Sequence, residues 1–167
     1  FEYWHIYLYI RATCSRPVMI PVKVAISGQP GTGKTRTVLR IARMIEDKFQ
    51  IGGLTTHPIE EDGGLIGYNL KDYVTGEEEL SASVRWDVKP RLPGRTPEST
   101  PLGIRLDAVN RIATASVAKA IEEADLILVD EVGKLVSESK EFSAVLKEAL
   151  KCGKPMLITI HKRSRNL

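Results

Sequence analysis

The sequence contains a glycine-rich run that ends in a lysine and a threonine and matches the pattern G-x-x-x-x-G-K-S/T. Its members are Gly28, Gln29, Pro30, Gly31, Thr32, Gly33, Lys34 and Thr35. Glycines leave room for a polyphosphate to lie against consecutive backbone N–H groups, which are strong anion donors. The lysine can reach the β- and γ-phosphates, and the threonine hydroxyl suits Mg²⁺ as an oxygen ligand. This run, named the phosphate loop, predicts a site for a nucleoside triphosphate such as ATP or GTP, with Arg36 next to it.

A phosphate loop of this kind requires a strand before it and a helix after it. Before the loop, every second residue is a large aliphatic one, at Val22, Val24 and Ile26, and this alternation predicts a strand. After the loop they recur at helical spacing, at Val38, Ile41, Ala42 and Ile45. The helix that begins here directs the positive end of its dipole towards a bound anion. The flanking sequence therefore supports the assignment of the loop.

A second candidate motif is an aliphatic run that ends in two carboxylates, Asp130 and Glu131. Four consecutive aliphatic residues predict a central parallel strand buried on both faces, and ligands bind at the carboxyl ends of such strands. Asp130 is predicted to hold Mg²⁺ opposite Thr35, as a Walker B aspartate does. Glu131 is placed to orient and deprotonate a water that attacks the γ-phosphate, which is the task of a hydrolase.

Another buried strand is predicted over residues 156–160, and it ends in His161. A polar residue at this position is suited to sense the γ-phosphate or to bond the attacking water. Thr159 and His161 both fit, and His161 is the one assigned a catalytic role because an imidazole changes charge near neutral pH.

The remaining pattern predicts an antiparallel meander and two further helices. Strands are expected over residues 52–59, 65–73 and 80–86, and the Asp-Gly at 62–63 supplies hairpin chemistry. Residues 89–103 are rich in proline and glycine and predict an irregular connection, which is either a lid or a solvated loop. Helices are expected over residues 106–123 and 138–151.

Composition indicates an ordinary globular chain. The 167 residues suffice for one domain, predicted over residues 19–167, and a net charge of +3 is too small to argue for nucleic acid. Two cysteines without metal-ligand or disulfide spacing favour the cytoplasm, and no apolar run is long enough to span a membrane.

Residues 1–18 are interpreted as an extension before a natural start at Met19. The alternative is an added edge strand over residues 3–10.

With these motifs in place, the sequence resembles the small P-loop nucleoside-triphosphatases of thermophiles, also known as the cancer-related nucleoside-triphosphatase family. The resemblance covers about residues 22–161, and its most specific stretches are GQPGTGKT at 28–35, GGLTTHPIEEDGGLIGYNL at 52–70, LILVDEVGK at 126–134 and ITIHK at 158–162. The sequence departs from the family at Leu65, where a basic residue is usual, and at Ile104, where an aromatic is. It also ends before the last strand and helix expected of the family.

The resemblance implies an α/β fold of the P-loop NTPase type. Its architecture would be a RecA-like, additional-strand, three-layer sandwich with a mostly parallel central sheet and an antiparallel hairpin or meander. It also implies Mg²⁺-dependent hydrolysis of the β–γ bond with tolerance of several nucleobases, and a monomer is favoured. Lys34, Thr35, Asp130 and Glu131 then take the roles already derived for them.

Two other functions remain open from the residues alone. A nucleoside or nucleotide kinase would use the arginines in and around the irregular connection 89–103 as an acceptor lid, namely Arg85, Arg91, Arg95 and Arg105. A nucleotide-dependent switch associated with nucleic acid would use the basic stripe Arg36, Arg40 and Arg43 and the basic residues 162–165, although a solvated helix face explains the stripe as well.

Overall fold

A computed structural model of the chain describes residues 5–9, 22–94, 96 and 98–161. The predicted start at Met19, the lid arginine Arg95 and the basic residues 162–165 lie outside these residues. Among the helices that are described, none is long and apolar enough to cross a membrane.

Within the described residues, nine strands form one mixed sheet in the order β1-β2-β9-β8-β3-β4-β5-β7-β6. The strands are β1 (His5–Tyr9), β2 (Lys23–Gly28), β3 (Ile51–Glu61), β4 (Gly64–Asp72), β5 (Glu78–Ser83), β6 (Arg91–Leu92), β7 (Leu102–Ile104), β8 (Leu126–Val132) and β9 (Met156–His161). β1 occupies the edge beside β2, in antiparallel register.

The prediction of a mostly parallel sheet was wrong. The strands β2, β9, β8 and β3 are parallel neighbours, but the other five strand pairings, of eight in all, are antiparallel. The parallel strands are the ones that crossover helices connect, whereas tight turns join β3, β4 and β5 and allow only antiparallel pairing. The sheet therefore has a parallel block that carries the candidate site and an antiparallel extension.

Helices cover both faces of the parallel block. They are α1 (Lys34–Ile45), α2 (Leu106–Val109), a π-helical turn (Asn110–Thr114), α3 (Ala115–Glu123), α4 (Lys134–Ser137) and α5 (Lys140–Lys151). Val38 and Ala42 of α1 pack with Leu128, while Ile127 and Val129 pack in a separate core with residues of α3 and α5. Because side chains alternate along a strand, the two cores lie on opposite faces of β8.

The predicted helix over residues 106–123 is present, but a π-helical turn interrupts it. Asn110 in that turn accepts a hydrogen bond from the hydroxyl of Ser139, which also caps the start of α5 by accepting the N–H of Phe142. Ser139 is 1% exposed. The turn thus joins the middle of the predicted helix 106–123 to the beginning of α5, and periodicity alone does not reveal such a contact.

The segment predicted to be irregular, residues 89–103, has short strands at both ends. β6 and β7 pair with each other, and β7 continues the sheet from β5. Leu102 is fully buried and Ile104 is 1% exposed, so their burial holds the segment against the core. A two- or three-residue strand is too short for an alternation pattern to be visible in the sequence.

The conformation of Gly53 lets β3 approach β8 closely. Its φ of +132° is unfavourable for other residues, and a Cβ built on it would lie 1.9 Å from the carbonyl oxygen of Leu128. The next positions along this ladder bring Thr55 opposite Asp130. The glycine therefore sets the approach of the two strands near the candidate site.

Candidate active site

The phosphate loop connects β2 to α1 and has the backbone conformation that its glycines permit. Gly31 and Gly33 have φ values of +79° and +85°, in the left-handed region that favours glycine. The loop closes on itself because the carbonyl oxygen of Gln29 accepts the hydroxyl of Thr32 at 2.8 Å. Pro30 lies exposed at the tip of the loop.

Lys34 is the first residue of α1, and it is 4% exposed. Its ammonium group donates to the carbonyl oxygen of Gln29 at 3.1 Å and lies 3.6 Å from a carboxylate oxygen of Glu131. A buried cation needs such partners, since its desolvation is costly without them. The structure thus brings the lysine of the loop and the second carboxylate of β8 together.

Asp130 is completely buried and accepts two hydroxyl groups at one carboxylate oxygen. Thr35 donates to its Oδ1 at 3.1 Å, and Thr159 of β9 donates to the same atom. Burial raises the pKa of Asp130 above its ordinary value, and the two hydroxyl groups oppose this shift only partly. β9 is able to supply Thr159 because it lies between β2 and β8.

The other carboxylate oxygen of Asp130, Oδ2, is buried and has no hydrogen-bond partner. Buried polar atoms are rarely left in this state, and a cation is one group that would satisfy the oxygen. The described residues hold no cluster of three acidic, histidine or cysteine side chains that would bind a metal alone. Thr35 and Asp130 therefore fit a Mg²⁺ ion that takes its other ligands from water and phosphate, as Mg²⁺ commonly does.

The sequence reasoning missed two neighbouring threonines on β3. The hydroxyl of Thr56 accepts the backbone N–H of Glu131 at 3.1 Å. The hydroxyl of Thr55, which is opposite Asp130, lies 2.9 Å from Nε2 of His57. The only signal for either residue was its place in the family-like stretch 52–70, which assigns no role.

The remaining predicted residues lie around the loop. His161 ends β9 and is in register with Gly28, at the start of the phosphate loop. Arg36 is exposed on the first turn of α1 and lines a cavity of about 530 Å³. The other lining residues are Thr32, Gly33, Thr37, Arg40, Ile41 and Met44. The catalytic role of His161 and the nucleotide-binding role of Arg36 stay predictions.

In this structure a glycine loop opens a helix, and its threonine bonds to a buried aspartate on a nearby parallel strand. These features define the P-loop class of nucleotide-binding proteins. Comparison with known proteins agrees with this class. A family model described as NTPase matches residues 23–167. The chain belongs to this NTPase family, which confirms the resemblance seen in the sequence.

Individual relatives cover most of the chain. It is 34% identical to nucleoside-triphosphatase THEP1 of Thermococcus kodakarensis, over 85% of this chain and 77% of the relative. It is 32% identical to the protein of the same name from Thermoplasma volcanium, over 87% and 78% of the two chains.

Solved structures agree at the level of the fold. The crystal structure of THEP1 from Aquifex aeolicus matches with a TM-score of 0.72 at 23% identity, over 86% of this chain and 79% of that one. The solution structure of a human cancer-related nucleoside triphosphatase matches with a TM-score of 0.62 at 20% identity, over 84% and 76%. The α/β fold is therefore shared with both.

Proposed function

We propose that this protein is a Mg²⁺-dependent nucleoside-triphosphate phosphohydrolase that converts NTP to NDP and phosphate and accepts several nucleobases. The names of its relatives, nucleoside-triphosphatases, support hydrolysis as the reaction. The observation that carries the proposal is the distance of 3.6 Å between the ammonium group of Lys34 and the carboxylate of Glu131. At this distance, a cation that can bind phosphate lies next to a carboxylate that can act as a base towards water.

In the proposed reaction, a water oxygen attacks the γ-phosphorus while the bond from that phosphorus to the β–γ bridging oxygen breaks. Glu131 accepts a proton from the water, and Lys34 neutralises charge on the β- and γ-phosphates. The backbone N–H groups of the phosphate loop bind the phosphate oxygens. The electron pair of the broken bond stays on the nucleoside diphosphate.

Thr35 and Asp130 would hold the Mg²⁺ ion, and the unpartnered Oδ2 of Asp130 supports this assignment. When bound, the ion would neutralise phosphate charge and polarise the phosphoryl group. Thr159 donates to Oδ1 of Asp130, so its hydrogen bond does not occupy Oδ2, the oxygen proposed to face the cation. His161 is proposed to bond the attacking water or the γ-phosphate from the end of β9.

The position of β9 between β2 and β8 supports the finer proposal of a RecA-like core with an additional strand. The unpaired state of Cys152 favours a reducing setting such as the cytoplasm. A monomeric state stays a prediction from the sequence.

The kinase alternative has weaker support because three of its four lid arginines already pair with carboxylates. Arg85 pairs with Glu61 at 2.8 Å, and Arg91 pairs with Asp87. Arg105 pairs with Asp107 at 2.9 Å and lies over the ring of Trp86. An acceptor lid would have to break these pairs first. The switch alternative depends on the exposed arginines of α1, which a solvated helix face explains equally well.

Product analysis tests the proposed function. Wild-type protein should release equimolar NDP and phosphate from ATP, GTP, CTP and UTP with Mg²⁺ and no added acceptor, and EDTA should abolish the release. Replacement Lys34→Ala should lower turnover on the order of 100-fold or more, because charge on the phosphates is no longer neutralised. Lys147→Ala, an exposed change on α5, should have no effect.

Two outcomes would contradict the proposal. Formation of NDP only when a nucleoside or nucleotide acceptor is added would identify a kinase. Absence of phosphate release from all four nucleotides would exclude hydrolysis of the β–γ bond.

A further inference from the structure

The backbone amide of Glu131 lies outside both strand ladders that flank it. The ladder between β3 and β8 ends at the pair Thr55 and Asp130. The ladder between β8 and β9 is irregular between Val129 and Val132, so that the backbones of Asp130 and Glu131 have no register partner on β9. Glu131 is half-buried, and a strand amide that burial leaves without an acceptor costs about 1–3 kcal/mol.

The acceptor is a side chain, the hydroxyl of Thr56, at 3.1 Å from the amide nitrogen of Glu131. Thr56 is held firmly because it lies within β3 and is in register with Leu70 of β4 on its other side. Its β-branched side chain also has few rotamers. Thr55, in contrast, uses its hydroxyl with His57 and the carbonyl oxygen of Lys71. The two adjacent threonines therefore have separate partners.

We propose that Thr56 is a positioning residue for NTP hydrolysis, which fixes the backbone of Glu131 and thereby the place of its carboxylate beside Lys34. This inference rests on the proposed function, because it assigns Glu131 the role given there. Thr56 itself contacts neither the ammonium of Lys34 nor Asp130 in any described hydrogen bond. Its effect passes through one backbone amide, and it should appear in turnover rather than in nucleotide affinity.

The size of the effect follows from the precision that a base requires. A misplacement of about 1 Å can cost on the order of 100-fold in rate. Removal of the hydroxyl should therefore lower kcat on the order of 10- to 100-fold. KM and the nucleotide Kd should change less than about threefold, because the phosphate loop is unaltered.

The test compares Thr56→Val, which keeps the shape but loses the hydroxyl, with Thr56→Ser, which keeps the hydroxyl. Thr56→Val should show the fall in kcat, whereas Thr56→Ser should keep turnover near the wild-type value. Thr56→Ala serves as a second hydroxyl-free variant should the valine change impair folding. Thr75→Val is the matched control, because the hydroxyl of Thr75 also accepts a backbone N–H, that of Glu77 at 3.2 Å, in the turn after β4. This control should keep wild-type kcat.

Amide hydrogen exchange at Glu131, measured by NMR, gives a readout that does not depend on activity. Exchange should be slow in wild type and Thr56→Ser and about tenfold or more faster in Thr56→Val. Wild-type kcat in both hydroxyl-free variants, or an equal fall in Thr75→Val, would overturn the inference while the proposed function stands. An inactive wild-type protein would overturn the proposed function, and the positioning role with it, even if the exchange data showed the hydrogen bond.

Discussion

At Asp130 the two carboxylate oxygens have different surroundings. One accepts the hydroxyl groups of Thr35 and Thr159, and the other is buried without a partner. A fully buried carboxylate of this kind is costly to the fold, since burial disfavours its charge and raises its pKa. We infer that the free energy lost here is recovered when Mg²⁺ and nucleotide bind.

Asp130→Asn should therefore separate stability from activity. The amide removes the buried charge, so thermal unfolding in EDTA should occur at the same or a higher temperature, with about 0–2 kcal/mol gained. Stabilisation by Mg²⁺ with nucleotide should be lost, together with hydrolysis. Differential scanning fluorimetry with and without Mg²⁺ and nucleotide, alongside phosphate release, measures both effects.

Asp125→Asn is the control for this change, because Asp125 precedes the same strand and accepts the exposed N–H of Gln50. It should leave hydrolysis unchanged. Wild-type turnover in Asp130→Asn would show that the aspartate does not hold the cation.

Residue types at the site were largely predictable from the sequence, but the contacts that support them were not. Lys34, Thr35, Asp130 and Glu131 were recognised because two motifs fix their spacing. Thr56 was not assigned a role, because a threonine in a strand is ordinary and its importance depends on an irregularity in the neighbouring ladder. Such a break in register depends on three strands at once and leaves no periodic signal.

At the scale of elements, Gly53 allows β3 to approach β8 more closely than a residue with a side chain would. The carbonyl oxygen of Leu128 would lie 1.9 Å from any Cβ at Gly53, where φ is +132°. The positive φ and the short distance to Leu128 both disfavour a side chain at Gly53. The pairing that brings Thr55 opposite Asp130 depends on this contact.

Gly53→Ala should accordingly lower the free energy of unfolding by about 3 kcal/mol or more, because β3 must move away from β8 or adopt a strained backbone. Urea unfolding followed by circular dichroism measures the loss. Gly153→Ala is the matched control, because no atom lies within 4 Å of a Cβ there, and it should change stability by less than about 0.5 kcal/mol. Equal stability of Gly53→Ala and wild type would refute the role of the close approach.

Long elements were predictable from periodicity, and short ones were not. The strand before the phosphate loop, the hairpin of β3 and β4, and the helix α5 all carry clear apolar patterns. The short strands β6 and β7 and the helix α4 occupy too few residues to show a period. Their positions are decided by tertiary burial, as at Leu102 and Ile104.

In the whole molecule, the candidate site lies at the carboxyl ends of the parallel strands, where open α/β sheets bind ligands. β2 brings the phosphate loop, β9 brings Thr159, β8 brings the two carboxylates and β3 brings Thr56. The antiparallel extension supports the outer side of β3 through β4. The sequence predicted the extension as a meander, but it did not predict that most strand pairings would be antiparallel. Local sequence patterns do not determine which strands pair beyond a hairpin.

Lys23 provides a further connection across the molecule. Its ammonium group donates to three carbonyl oxygens, those of Ala149, Cys152 and Lys154, at 2.8–3.1 Å. These carbonyls lie at the end of α5 and just before β9, so the contact joins the start of β2 to the segment that leads into β9. It keeps the phosphate loop strand and the strand of Thr159 together.

The measurement that tests the central claim most directly is turnover and nucleotide binding by Glu131→Gln. The account predicts that kcat falls on the order of 10²- to 10⁴-fold, because the amide cannot accept the proton of the attacking water, while nucleotide affinity stays within about threefold. Glu148→Gln, an exposed change on α5, should behave as wild type. Full turnover by Glu131→Gln would contradict the water-activating role, and with it the account of this site as a hydrolase centre.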